Sequence, residues 1–205
     1  MMNLFDMPLC SQFVSAVLSL FFLYKKNTLF VKLITLFLVV TFFVELSGAY
    51  YRSIKKPNSF LIYQYYSLFE FIIIFFIYQN LIKDAKLFIA SKIIFIVFIA
   101  TWILIYFDKS FYNYAIIIGS FNVGVSVFLY LRELLLSNEI INYKKLLPFW
   151  VSVGFLVFYL ASIPFFSFIN YMRNRDLFPV LFSLIVLMNL IISFGLVWSS
   201  KEMKY

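Results

Sequence analysis

Between Pro8 and Ser199 the chain alternates apolar runs of about 20 residues with short clusters of charged, proline or asparagine residues. Wound as helix, runs of that length match the hydrocarbon thickness of a bilayer. They predict seven spans, near 8–24, 29–51, 59–79, 87–106, 112–131, 146–169 and 177–199. The predicted fold is all-α: a polytopic transmembrane bundle of seven helices, with residues 1–205 forming one domain. Pro8 and Pro148 fall in first turns, where a missing N–H is tolerated. Pro164 lies near the far end of the sixth span, where it predicts an end or a kink. The longest connection, LRELLLSNEIINYKK, reads first as an extension of the fifth helix to Leu136, with a short interfacial amphipathic segment as the alternative.

Two acidic residues interrupt this pattern within the second and third spans. Glu45 stands in LFVKLITLFLVVTFFVELSGAYY and Glu70 in FLIYQYYSLFEFIIIFFIYQ. An ionisable group in hydrocarbon is expensive and marks a functional position by default. Antiparallel packing across the short second loop places Glu45 about 9 Å and Glu70 about 16 Å from the same side of the bundle. On the third helix Tyr63, Tyr66, Ser67 and Glu70 share one face, which supplies hydroxyl donors to Glu70 from its own helix. Glu45 must find its partner elsewhere, and Arg52, seven positions further on, is a candidate. Gly48 and Ala49 form a thin patch beside it where another helix can approach.

Asn122 and Asn189 lie at similar depth in the fifth and seventh spans. Gly119, Asn122 and Ser126 share a face, as do Asn189, Ser193 and Ser200. A polar core of Glu70, Asn122 and Asn189 near the midplane is geometrically possible, while interhelical glue is the favoured reading of the two asparagines. The acids admit two readings. They form an outward-opening proton- or cation-linked pathway or ligand pocket, or they are neutral, hydrogen-bonded groups that hold helices in register.

Charge sets the expected orientation. Lys25, Lys26, Lys32, Lys83, Lys86, Lys92, Arg132, Lys144, Lys145, Lys201 and Lys204 flank one side, against Arg52, Lys55, Lys56, Lys109, Arg173 and Arg175 on the other. The positive-inside rule then puts the N-terminus outside and the C-terminus in the cytoplasm of a cell (inner) membrane. The first run is preceded by Asp6 and followed by Lys25 and Lys26, the reverse of a signal peptide, so it is read as a retained helix. Trp102, Trp150 and Trp198 near span ends fit interfacial aromatic belts. The net charge of +8 is scattered over short loops and suits anionic lipid headgroups rather than nucleic acid.

Composition narrows the chemistry. The chain is 64% hydrophobic and 13% charged, with one cysteine and no histidine. Histidine general bases, Ser/His triads, histidine-held haem or zinc, and internal disulfides are thereby excluded, and no cofactor is expected. Rhodopsins share the seven-helix, N-outside topology but hold retinal through a lysine of the last helix, and LFPVLFSLIVLMNLIISFGLVW has none. VELSGAYY at Val44 to Tyr51 and NSFLIYQYYSLFEF at Asn58 to Phe71 resemble an uncharacterised group of small bacterial seven-helix membrane proteins, a resemblance that implies no activity. The sequence favours a solute- or ion-linked transporter or channel with Glu70 and Glu45 in its cavity. The competing expectation is a non-enzymatic membrane subunit or sensor that docks a membrane-protein partner or a second copy of itself.

Overall fold

The structure, a computed structural model, describes residues 6–54, 59–136, 145–171 and 177–199. Among these residues all regular structure is helical: α1 (Asp6–Lys25), α2 (Leu29–Ser53), α3 (Ser59–Leu81), α4 (Ala85–Leu104), α5 (Phe111–Leu136), α6 (Leu147–Phe168) and α7 (Phe178–Trp198). Each of the seven is long and apolar enough to cross a membrane. Their ends are set by local chemistry. Asp84 caps α4 by accepting from the backbone N–H of Lys86 at 2.7 Å and of Leu87 at 3.3 Å. Thr28 accepts from Val31 N–H at 3.3 Å at the start of α2, and prolines open α6 and α7. The fifth helix does continue to Leu136, and the rest of the long connection, 137–144, lies outside the described residues.

Pro164 does not end α6. The helix runs four residues beyond it to Phe168 and passes into a single 3-10 turn, Ile169–Tyr171. The ring of Phe165 packs edge-on against Phe178 of α7 at 5.3 Å, which holds the last turn in place despite the missing N–H.

Six helices close into a ring in the order α1, α2, α3, α5, α6, α7 and back to α1. The fourth stays outside, packed mainly on α5 and lightly on α3. Registers follow from individual contacts. Ser19 O accepts from Thr35 Oγ1 at 3.2 Å between α1 and α2, and Thr41 meets Tyr66 between α2 and α3. Phe71 of α3 lies against Gly119 of α5, where a methyl group would come within 2.6 Å of its ring, so only glycine permits this approach. Outside the ring, Ser91 of α4 meets Ser126 of α5 at 3.1 Å. The loop from α3 to α4 is held by Glu133 of α5, whose carboxylate accepts from Lys83 N–H at 3.0 and 3.1 Å.

Within the ring, the centre is filled by large aromatic side chains. Phe37, Phe71, Tyr78, Phe155 and Tyr159, from α2, α3 and α6, are each at most 2% exposed. Phe37 reaches across from α2 to Phe155 of α6, ring centroids 5.3 Å apart in an edge arrangement. Lipid-directed residues such as Phe21, Ile96, Phe128 and Val197 are exposed, as a bilayer-embedded surface requires.

Candidate functional site

The two acids meet in the half of the bundle that also holds the start of α1. Glu45 is eight residues from the end of α2 and Glu70 eleven from the start of α3. Both are half-buried. Tyr63 donates to Glu45 Oε2 at 3.3 Å, and its ring lies over Gly48, where a methyl group would collide with the Tyr63 hydroxyl. The thin patch expected at Gly48 therefore admits a tyrosine side chain from α3. Tyr66 shares a hydrogen bond with Thr41 of α2 at 2.6 Å.

Glu70 takes its donor from across the ring: the hydroxyl of Tyr159 in α6 donates to Glu70 Oε1. This corrects the expectation that donors come from its own helix. The Tyr63 hydroxyl serves Glu45, that of Tyr66 turns to Thr41, and Ser67 donates to the carbonyl of Gln64 at 2.7 Å while also bonding Tyr112 of α5. A helical face brings these residues together, but Glu70 points toward the ring interior where α6 faces it. Tyr66 and Tyr159 lie close enough to Glu70 to sense its charge, and Glu45 does as well. The acids thus form one electrostatic group with Tyr63, Tyr66, Tyr112 and Tyr159.

Arg52, the sequence candidate for pairing Glu45, has a side chain outside the described residues. No lysine or arginine is buried among the described residues, and Lys32 and Lys92 within α2 and α4 are exposed. Lys92 lies over the ring of Phe88 at 4.2 Å, on the outside of the bundle. For Glu70 the neighbours are therefore hydroxyls, aromatic rings and a second carboxylate.

The asparagines belong to other interfaces. Asn189 accepts from Ser15 Oγ of α1 at 2.6 Å and donates to Ile185 O at 2.8 Å, which makes it a bond between α7 and α1. Ser200, expected to share its face, lies outside the described residues. Asn122 is 2% exposed on the face of α5 that Gly119 and Ser126 define, toward α3 and α4, and its Oδ1 accepts no hydrogen bond among the described residues. Asn189 is thus the interhelical glue that the sequence favours, and no hydrogen bond joins Asn122 or Asn189 to Glu70 among the described residues.

Trp102 is buried against its neighbours. It is 6% exposed and packs against Tyr65 and Tyr106, at 6.4 and 5.4 Å, two residues from the end of α4. As α4 sits outside the ring, its inward face must be covered by α5 and α3, and Trp102 falls on that face. Trp198, at the end of α7, is 58% exposed.

Two turns further from the Glu70 level, polar groups are paired and sealed. Tyr78 of α3 and Ser152 of α6, both fully buried, share a hydrogen bond at 2.9 Å. Sequence reading missed Tyr159, Thr41, Tyr112 and this pair. The one available signal was a tyrosine amid the apolar α6, since a buried phenol needs a partner. Surface clefts of 650 Å³, lined by Leu46, Ser47, Ala49, Tyr50 and Tyr51, and of 280 Å³, lined by Asp84, Leu87, Arg132, Glu133 and Leu136, do not include Glu70. No family model, curated protein or solved structure matches the chain.

Proposed function

We propose that this polytopic membrane protein binds a proton or small cation at Glu70, with Glu45 beside it, and couples that binding to movement of the ion or of a solute across the membrane. The observation that carries this reading is the environment of Glu70: a partly buried carboxylate in a helix long and apolar enough to span a membrane, hydrogen-bonded by Tyr159, near a second carboxylate and away from any buried lysine or arginine among the described residues. A carboxylate so placed needs its charge balanced, and a proton or a cation from solution supplies that balance.

Crowding supports a small ligand. The rings of Tyr159 and Phe71 stand 5.8 Å apart beside Glu70, which leaves more room for a bare ion than for an extended solute. Tyrosine faces and hydroxyls suit a cation in the same way. On the lysine and arginine balance, the site lies in the outer half of an inner membrane. Membrane vesicles reconstituted with the purified protein test the reading. Wild type carries a pH-dependent proton or sodium flux, or is stabilised against heat by sodium, and Glu70→Gln abolishes it. Unchanged behaviour in both Glu70→Gln and Glu45→Gln removes the site. A stoichiometric partner retained in detergent, with no ion response, would favour a membrane subunit instead.

A further inference from the structure

Directly behind Glu70 the bundle holds a single layer of fully buried rings. Phe155 of α6 is 0% exposed and touches three others: Tyr159 at 5.7 Å on the Glu70 side, Tyr78 at 6.4 Å on the opposite side, and Phe37 of α2 at 5.3 Å across the ring. Polar groups lie on both sides of this layer. Toward the start of α1 are Glu70 and Tyr159, with Tyr66 and Thr41. On the other side is the bond between Tyr78 and Ser152. Along α6, Ser152, Phe155 and Tyr159 follow at one-turn intervals. The two polar levels are therefore separated by about 10 Å of helix, with Phe155 between them. On α2 the arrangement repeats, since Phe37 stands one turn from Thr41 and accepts its hydroxyl through the Phe37 carbonyl at 2.7 Å.

We propose that Phe155 and Phe37 are the gate that closes the Glu70 site from the opposite membrane face, with Tyr78 and Ser152 as the next polar station of the same path. The inference rests on reading Glu70 as the ion site. An apolar constriction excludes water because wetting it forfeits water's hydrogen bonds, and a path with polar stations on either side conducts only when the constriction opens. The layer is built from two helices, α2 and α6, that are not neighbours in the ring. Two ring-to-ring contacts between large side chains therefore seal the centre, and separation of α2 from α6 breaks the seal without breaking a backbone hydrogen bond.

Removing the ring of Phe155 leaves a space between the rings of Tyr78 and Tyr159, whose hydroxyls bond Ser152 and Glu70 on its two sides, so that water entering it has polar groups to meet at either end. The test uses full-length protein in vesicles loaded with a pH-sensitive dye under an imposed potential. Phe155→Ala raises the passive proton leak at least about ten-fold over wild type, and Phe155→Leu, which keeps most of the bulk, stays near wild type. Adding Glu70→Gln to Phe155→Ala lowers the leak again. A second readout does not depend on transport. In a Cys10→Ser background, Ser152→Cys is unreactive toward a membrane-impermeant thiol reagent added on the side of the start of α1, and becomes reactive once Phe155→Ala is introduced. Both readouts are scored on protein that elutes as a single species in detergent, with Phe37→Ala as the alternative variant if Phe155→Ala fails to fold. A folded Phe155→Ala or Phe37→Ala protein with neither leak nor new reactivity overturns the gate, even where Glu70→Gln abolishes ion binding in the otherwise wild-type protein. A leak undiminished by Glu70→Gln overturns it as well, because the opened path then bypasses the site.

Discussion

Two tyrosine-centred bonds span the same pair of helices, α3 and α6, and behave as opposites. Tyr159 donates to Glu70, a partly buried acid, while Tyr78 pairs with Ser152, a fully buried neutral group. Both bridge the ring interior between helices that are not ring neighbours. The difference lies in what surrounds them. Around the first are a second carboxylate and further tyrosine hydroxyls, and around the second are Phe155, Tyr130 and other fully buried rings. One bond holds a partly buried acid among other polar groups, and the other joins two helices through a fully buried neutral pair. Under the proposed function, the same chemistry serves ligand binding in one half of the bundle and packing in the other.

The comparison breaks most readily at Tyr159. Replacing it with phenylalanine keeps the ring and removes the donor to Glu70, so sodium binding weakens by about ten- to hundred-fold, the range expected for a hydrogen bond to a charged group. Titration of thermal stability with sodium measures this, and an unchanged affinity would mean that Glu70 does not rely on α6. The matched change, Tyr78→Phe, leaves Ser152 without its partner and lowers stability by about 1 to 2 kcal/mol, while sodium affinity stays at the wild-type value. Loss of affinity in Tyr78→Phe would erase the distinction between the two halves.

The smallest effect lies outside both halves, in the turn between α4 and α5. Asp108 accepts from the backbone N–H of Ser110 at 2.8 Å, and that bond holds its carboxyl below the usual range. A depressed carboxyl contributes stability that is present above its unfolded value and is lost as pH falls through its folded value. Asp108→Asn therefore gives a slight loss of thermal stability at neutral pH that vanishes in acid, with ion binding unaffected. Full persistence of the difference in acid would show that the bond does not depend on the carboxylate.

Much of the fold was legible in the sequence because a bilayer imposes length and apolarity on each span independently. The seven helices could be counted from the runs, and Glu45 and Glu70 stood out as the expensive residues. Closure of the ring without α4 was not legible, since the helices are apolar over most of their surface and the few polar faces do not say which neighbours they take. The partner of Glu70 was missed for a related reason. Spacing reveals what shares a face on one helix, whereas Tyr159 comes from a helix 89 residues away in the chain. Asn189 found Ser15 by the same kind of long-range pairing. Phe37 and Phe155 were invisible among 29 phenylalanines, because only their position at the ring centre distinguishes them.

The central claim is that Glu70 is reached by water from the side of the bundle where α1 begins, while the level of Ser152 is sealed. Thiol labelling in sealed vesicles addresses it directly, starting from a Cys10→Ser background that removes the one native cysteine, an exposed one. Glu70→Cys is expected to react with an impermeant reagent added on that side and not with reagent on the other, and Ser152→Cys to react with neither. Equal protection of both positions, or labelling of Glu70→Cys from the opposite side, would contradict the account.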